Sequence, residues 1–142
     1  METRMVRVTD KPDMFRKAVA IGVVRMKRET VEMIERGELG KGDPVEVARI
    51  AGIMGAKRTG DLIPLCHPIK ITHVNLELET DPLEGHVRIR AEVETVDKTG
   101  VEMEALTAVA VAALTVYDMC KGVDDTIRIA EIKLLEKEKH PS

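Results

Sequence analysis

KTGVEMEALTAVAVAALTVYDMCKG, residues 98–122, decides how the chain is read. Neither Gly nor Pro interrupts it between Val101 and Lys121, so it predicts one long helix. Thr99 and Glu102 have capping-box spacing at its start, and Gly122 is placed to close it. Its middle, ALTAVAVAALTV (residues 105–116), is apolar on nearly every side. A helix of that kind is buried on more than one face.

The neighbouring segments supply a surface to bury it against. Residues 71–80 alternate, with Thr72, Val74, Leu76 and Leu78 set against Ile71, His73, Asn75, Glu77 and Glu79. That is the period of a half-buried strand. Residues 81–85 turn, and residues 86–96 return with Val87, Ile89, Ala91 and Val93 inward. Residues 14–26 and 126–135 predict two further strands. Residues 29–36 predict a short helix stopped by Gly37. Asp43-Pro44 starts another, with Asp as cap and Pro in the first turn, running through Val47, Ile50, Ala51 and Met54 to about Thr59. The sum is an α+β domain, one antiparallel sheet with helices packed on it. One small sheet does not cover a helix apolar all round, which implies an oligomer. A single domain over residues 1–136 suits a chain of 142 residues, with residues 137–142 as a loose tail.

Composition removes several classes of function. Phe15 and Tyr117 are the only aromatics and the net charge is -3. The chain therefore lacks both the stacking platform and the positive field of a nucleic-acid binder. An anionic ligand has to be held by a local cluster of Lys and Arg. No run of 18 apolar residues predicts a membrane span, and METRMVRVTD is no signal peptide. Cys66 and Cys120 stand apart, as reduced thiols of a cytoplasmic protein do. Gln is absent and Asn75 is the only Asn, a composition that heat favours.

Three segments combine reactive side chains with local constraint. In KRTGDLIPLCHP (residues 57–68), Lys57 and Arg58 end a helix, where the macrodipole alone would favour them. The rigid loop that follows presents Cys66 and His67 between prolines, and an imidazole so held suits a proton shuttle. Cys66 reads more simply as a small buried thiol than as a nucleophile. In KTGVEME (residues 98–104), capping explains Glu102 but not Glu104, which points about 200° away from it. In YDMCK (residues 117–121), Asp118 opposes the helix dipole, and Lys121 lies three residues on, on the same face. A surface ion pair accounts for that geometry; beside a buried interface the same pair can exchange protons. Cys66, Cys120, His67 and His73 show no zinc-ligand spacing, so no metal site is expected.

Together KRTGDLIPLCHPI, KTGVEMEALTAVAVAALTVYDMCK and the lead-in VARIAGI resemble the MoaC family, cyclic pyranopterin monophosphate synthases of molybdenum cofactor biosynthesis. The resemblance runs from about Val6 to Leu135. Gly60 departs from the bulky residue of some members and removes no reactive group. The resemblance implies a ferredoxin-like fold and a hexamer built as a trimer of dimers. It implies conversion of 3′,8-cyclo-7,8-dihydro-GTP to cyclic pyranopterin monophosphate and pyrophosphate, with no cofactor beyond magnesium travelling with the triphosphate. By motif match Asp118 is the main acid/base, with Lys121 beside it and Lys57 and His67 in the active site. Leu65, Cys66, His67, Glu102, Met103 and Glu104 fall on substrate contacts, and Lys41 and Arg16 on phosphate contacts. The competing reading is a non-catalytic ferredoxin-like module that binds a nucleotide as a regulator.

Overall fold

The computed structural model describes residues 1–142. In chain order the elements are β1 (Met14–Arg25), α1 (Arg28–Arg36), α2 (Pro44–Lys57), α3 (Thr59–Leu62), β2 (Ile71–Asp81), β3 (His86–Asp97), α4 (Glu102–Cys120) and β4 (Arg128–His140). The strands form one sheet in the order β2-β3-β1-β4, with every neighbouring pair antiparallel. This is the expected α+β architecture, in the strand order of a split βαβ, ferredoxin-like fold.

Register places the core. Ala18 pairs with Val93, Ala20 with Ala91 and Val24 with Val87, so these side chains share the helix-facing side of the sheet. All six are fully buried, as are Ala105, Ala108, Val109, Ala112, Ala113 and Val116 of α4. By length and composition α4 alone would cross a membrane, with a mean hydropathy of 1.4 in its most apolar window. Half of that window is buried inside the fold, as befits a core helix.

Local signals act as predicted at α1 and α2. Gly37 ends α1 in the left-handed region at φ 68°, and its N–H donates to Ile34 O. The Asp43 carboxylate caps α2, accepting from Val45 N at 3.0 Å, a contact worth about 1 kcal/mol. Lys27 gives α1 no side-chain cap. Asp124, from the turn after α4, supplies it: one carboxylate oxygen accepts from Lys27 N at 2.9 Å and from Thr30 Oγ1 at 2.7 Å. The other accepts from Thr126 N and Oγ1. Burial pushes the Asp124 carboxyl up, but these hydrogen bonds outweigh it and hold it well below the usual carboxylate range.

Three expectations need correction, and α2 packs by its small residues. The capping box does not form: Val101 is the N-cap residue of α4, without a side-chain bond, and Glu102 folds back over Gly100. Gly122 does not close α4 in the left-handed region, because Lys121 caps it in the right-handed one. In α2 the large apolar residues point outward: Val47, Ile50 and Met54 are 43%, 51% and 44% exposed, while Ala48, Gly52, Gly55 and Ala56 are buried. A Cβ on Gly52 would stand 3.0 Å from Ala108 O, so this small-residue face lets α2 lie close against α4. Finally, residues 137–140 are not a loose tail. They continue β4, with Lys137 paired to Ala18 and Lys139 to Arg16, and His140 stacks on Phe15 at 4.7 Å.

Candidate active site

Reactive side chains gather at the two ends of α4. At its N-terminal end Glu104 is 2% exposed, and its Oε1 has no hydrogen-bond partner. Oε2 lies 4.0 Å from Cys66 Sγ. Burial pushes the Glu104 carboxyl up to about 7, with the Glu102 charge adding to the shift. Burial and the same two glutamates also raise the Cys66 thiol, which therefore stays protonated and is a poor nucleophile.

The Cys66 loop separates two cavities. One, of about 270 Å³, lies between Lys57, Asp61, Cys66 and Glu104. The other, of about 410 Å³, is bordered by Lys11, Leu65, Cys66, His67, Glu102 and Met103. Glu102 and Gly100 also border a third, of about 270 Å³, with Arg16, Lys137 and Lys139 around it. Arg16 is buried and anchored by two carbonyls: Nε donates to Asp97 O at 3.1 Å and one terminal nitrogen to Lys98 O at 3.2 Å. Its remaining N–H groups are free for an anion. A carboxyl able to give or take a proton near neutral pH thus shares its hollow with Lys57 and Asp61, and the hollows next to it hold Lys11, Arg16, Lys137 and Lys139 along with Glu102 and Glu138. That arrangement suits proton transfer on an anionic substrate.

At the C-terminal end Asp118 sits between two lysines. Lys121 Nζ is 3.1 Å from Oδ1, and Lys41 Nζ is 3.5 Å from Oδ2 and donates to the Asp118 carbonyl at 3.1 Å. The hydrogen bond from Lys121, followed by the nearby Lys41 charge, holds the carboxyl below its ordinary range, so it is an anion. All three side chains are more than half exposed. Fourteen residues separate Glu104 from Asp118, roughly 21 Å along the helix axis.

The sequence model of the MoaC family matches residues 5–140. The chain belongs to the MoaC family. Three relatives named cyclic pyranopterin monophosphate synthase are similar over most of both chains. The protein from Roseiflexus sp. (strain RS-1) is 56% identical over 134 residues, 94% of this chain and 85% of its own. Those from Thermomicrobium roseum and Dinoroseobacter shibae are 54% and 58% identical, over 96% and 94% of this chain and 82% and 85% of their own.

Of the residues singled out from the sequence, this MoaC chain groups Lys57, Cys66 and Glu104 around one cavity. It groups Leu65, Cys66, His67, Glu102 and Met103 around the next, and sets Arg16 in a third. Asp118, Lys121 and Lys41 form a separate cluster, so one chain does not unite the two sets. Sequence reasoning missed Lys11, Lys137 and Lys139. The signal for the last two was present: EKEK at residues 136–139 alternates and extends the period of β4.

Proposed function

We propose that this chain is a cyclic pyranopterin monophosphate synthase. It converts 3′,8-cyclo-7,8-dihydro-GTP to cyclic pyranopterin monophosphate with release of pyrophosphate, an early step toward the molybdenum cofactor. The observation that carries the reading is Glu104, a buried carboxyl near 7 with a free oxygen, in a hollow shared with Lys57, with Lys11, Arg16, Lys137 and Lys139 in the neighbouring hollows that Glu102 borders. Opening a purine-derived ring and closing it as a pterin requires several proton transfers, which Glu104 and His67 serve. Expelling pyrophosphate requires cations on the departing charge, which the lysines and Arg16 serve. Asp118 is the principal acid/base, with Lys121 beside it and Lys41 toward the phosphates.

Since Glu104 and Asp118 lie roughly 21 Å apart on one helix, the active site takes Glu104 from one subunit and Asp118 from another. Exposed Val47, Ile50, Met54 and Leu114 give the chain apolar surface to bury in such an assembly, a homohexamer arranged as a trimer of dimers. The enzyme works in the cytoplasm on a small molecule, without nucleic acid or membrane. No resident metal takes part in the reaction, and magnesium arrives only with the triphosphate. A regulatory nucleotide-binding module has no use for a neutral-range carboxyl in a cavity beside a lysine. Incubating the purified protein with the cyclised GTP derivative should release one pyrophosphate per pterin formed. Tight binding without pyrophosphate would support the regulatory module instead.

A further inference from the structure

The sheet face turned away from the helices carries a second constellation, none of whose residues lines the cavities described above. Glu92 and Glu94 lie two residues apart on β3 and so project from one face, while Val93 between them is fully buried on the other. β2 runs antiparallel alongside and sets His73 directly opposite Glu94. One ligand atom from each of the three residues lies within 4.8 Å of the other two.

His73 Nε2 is 3.3 Å from Glu92 Oε2. Two atoms bound to one zinc-class ion at about 2.0–2.1 Å and a tetrahedral angle stand about 3.3 Å apart. Glu92 is already oriented for that role. Lys17 Nζ holds Oε1 at 3.1 Å, leaving Oε2 toward the imidazole. Outer partners orient metal-ligating carboxylates in this way. Glu94, half-buried beside this group, enters none of the molecule's ion pairs. Lys17 of β1 stands opposite Glu94 in register but spends its charge on Glu92, which Arg90 also approaches at 3.9 Å.

We propose that His73, Glu92 and Glu94 bind one divalent transition ion of the zinc class on the open face of the sheet. The imidazole selects zinc-like ions over magnesium and calcium, which prefer all-oxygen shells. His73 is 45% exposed, so the remaining coordination position is open to water or to a donor from outside. The site is formed by strand register, and none of its residues belongs to the proposed reaction.

The test is calorimetric titration of the full-length protein, stripped by chelation and desalted, with Zn²⁺ alone and with Mg²⁺ in parallel. One Zn²⁺ per chain should bind saturably, and Mg²⁺ at the same concentrations should not. His73→Ala and Glu94→Gln should each weaken zinc at least tenfold. Pyrophosphate release should be the same for stripped and His73→Ala protein. Absence of saturable zinc binding overturns the proposal. So does binding that His73→Ala leaves unchanged, which would place the ion elsewhere.

Discussion

Glu104→Gln separates the charge of this residue from its shape. The parent carboxyl moves from its ordinary 4.5 to about 7 on folding, chiefly through burial. A folded-state value above the unfolded one means that the native protein binds the extra proton between these pH values. Stability from this residue is therefore fully present below about 4.5 and is lost as pH rises through about 7. A separation of about 2.5 pH units, at ~1.4 kcal/mol each, gives about 3.5 kcal/mol as an upper bound, since the carboxyl borders a cavity that admits water. Glutamine keeps the volume and has no proton to lose. The variant should match the parent at pH 4.5 and exceed it by up to about 3.5 kcal/mol at pH 8.5, while losing turnover. The assay is urea unfolding at a series of pH values and one fixed protein concentration, because subunit association shifts apparent stability. A stability difference that stays flat from pH 4.5 to 8.5 would refute the buried, unpaired carboxyl.

Asp118→Asn should abolish pyrophosphate release while circular dichroism and substrate binding stay near normal; a near-normal rate removes Asp118 from the chemistry. Mixing Glu104→Ala with Asp118→Asn after dissociation and reassembly should restore up to about a quarter of wild-type activity, because some shared sites then receive neither lesion. No recovery, with subunit exchange confirmed by mass, would mean that each site lies within one chain. Lys57→Ala and Lys41→Ala should weaken binding of a triphosphate analogue, and added salt should mimic both; unchanged affinity in each would put the anion site elsewhere. Gly52→Ala should lower unfolding stability by about 1 kcal/mol or more, since crowding against Ala108 O outweighs the gain of ~1 kcal/mol in helix propensity. An unchanged midpoint would contradict the close α2–α4 approach.

Alternation made the β2–β3 hairpin legible, because it buries one face with a period of two; α4 was legible as an apolar run that neither Gly nor Pro interrupts. The outward face of α2 was not legible. Hydrophobicity places Val47, Ile50 and Met54 inside, whereas close helix packing selects Ala48, Gly52 and Gly55 for their size. The end of β4 was misread because it lies at the sheet edge, where alternating Lys and Glu resemble a solvated tail. Local constraint singled out His67, Glu104 and Asp118 as candidates, and the roles proposed for them came from the family resemblance. Their division between two ends of one helix also follows from sequence, through the rise per residue. The grouping of Arg16 with Lys137 and Lys139 does not, since it depends on which strands are neighbours. The same holds for His73 beside Glu92 and Glu94, which only the β2–β3 register brings together.

The cap that Asp124 places on α1 bears on the order in which the chain acquires structure. The hydrogen bond from Lys27 N to Asp124 spans 97 residues, and that from Thr30 spans 94. A helix of nine residues is marginal by itself, and this one has no local side-chain cap at its N-terminal end. During synthesis α1 therefore emerges early and lacks its stabilising carboxylate until α4 and the turn beyond it have followed. The first helix of the chain is among the last to become secure, so vulnerability to proteases before assembly concentrates near the N-terminus even though β1 beside it becomes the centre of the finished sheet.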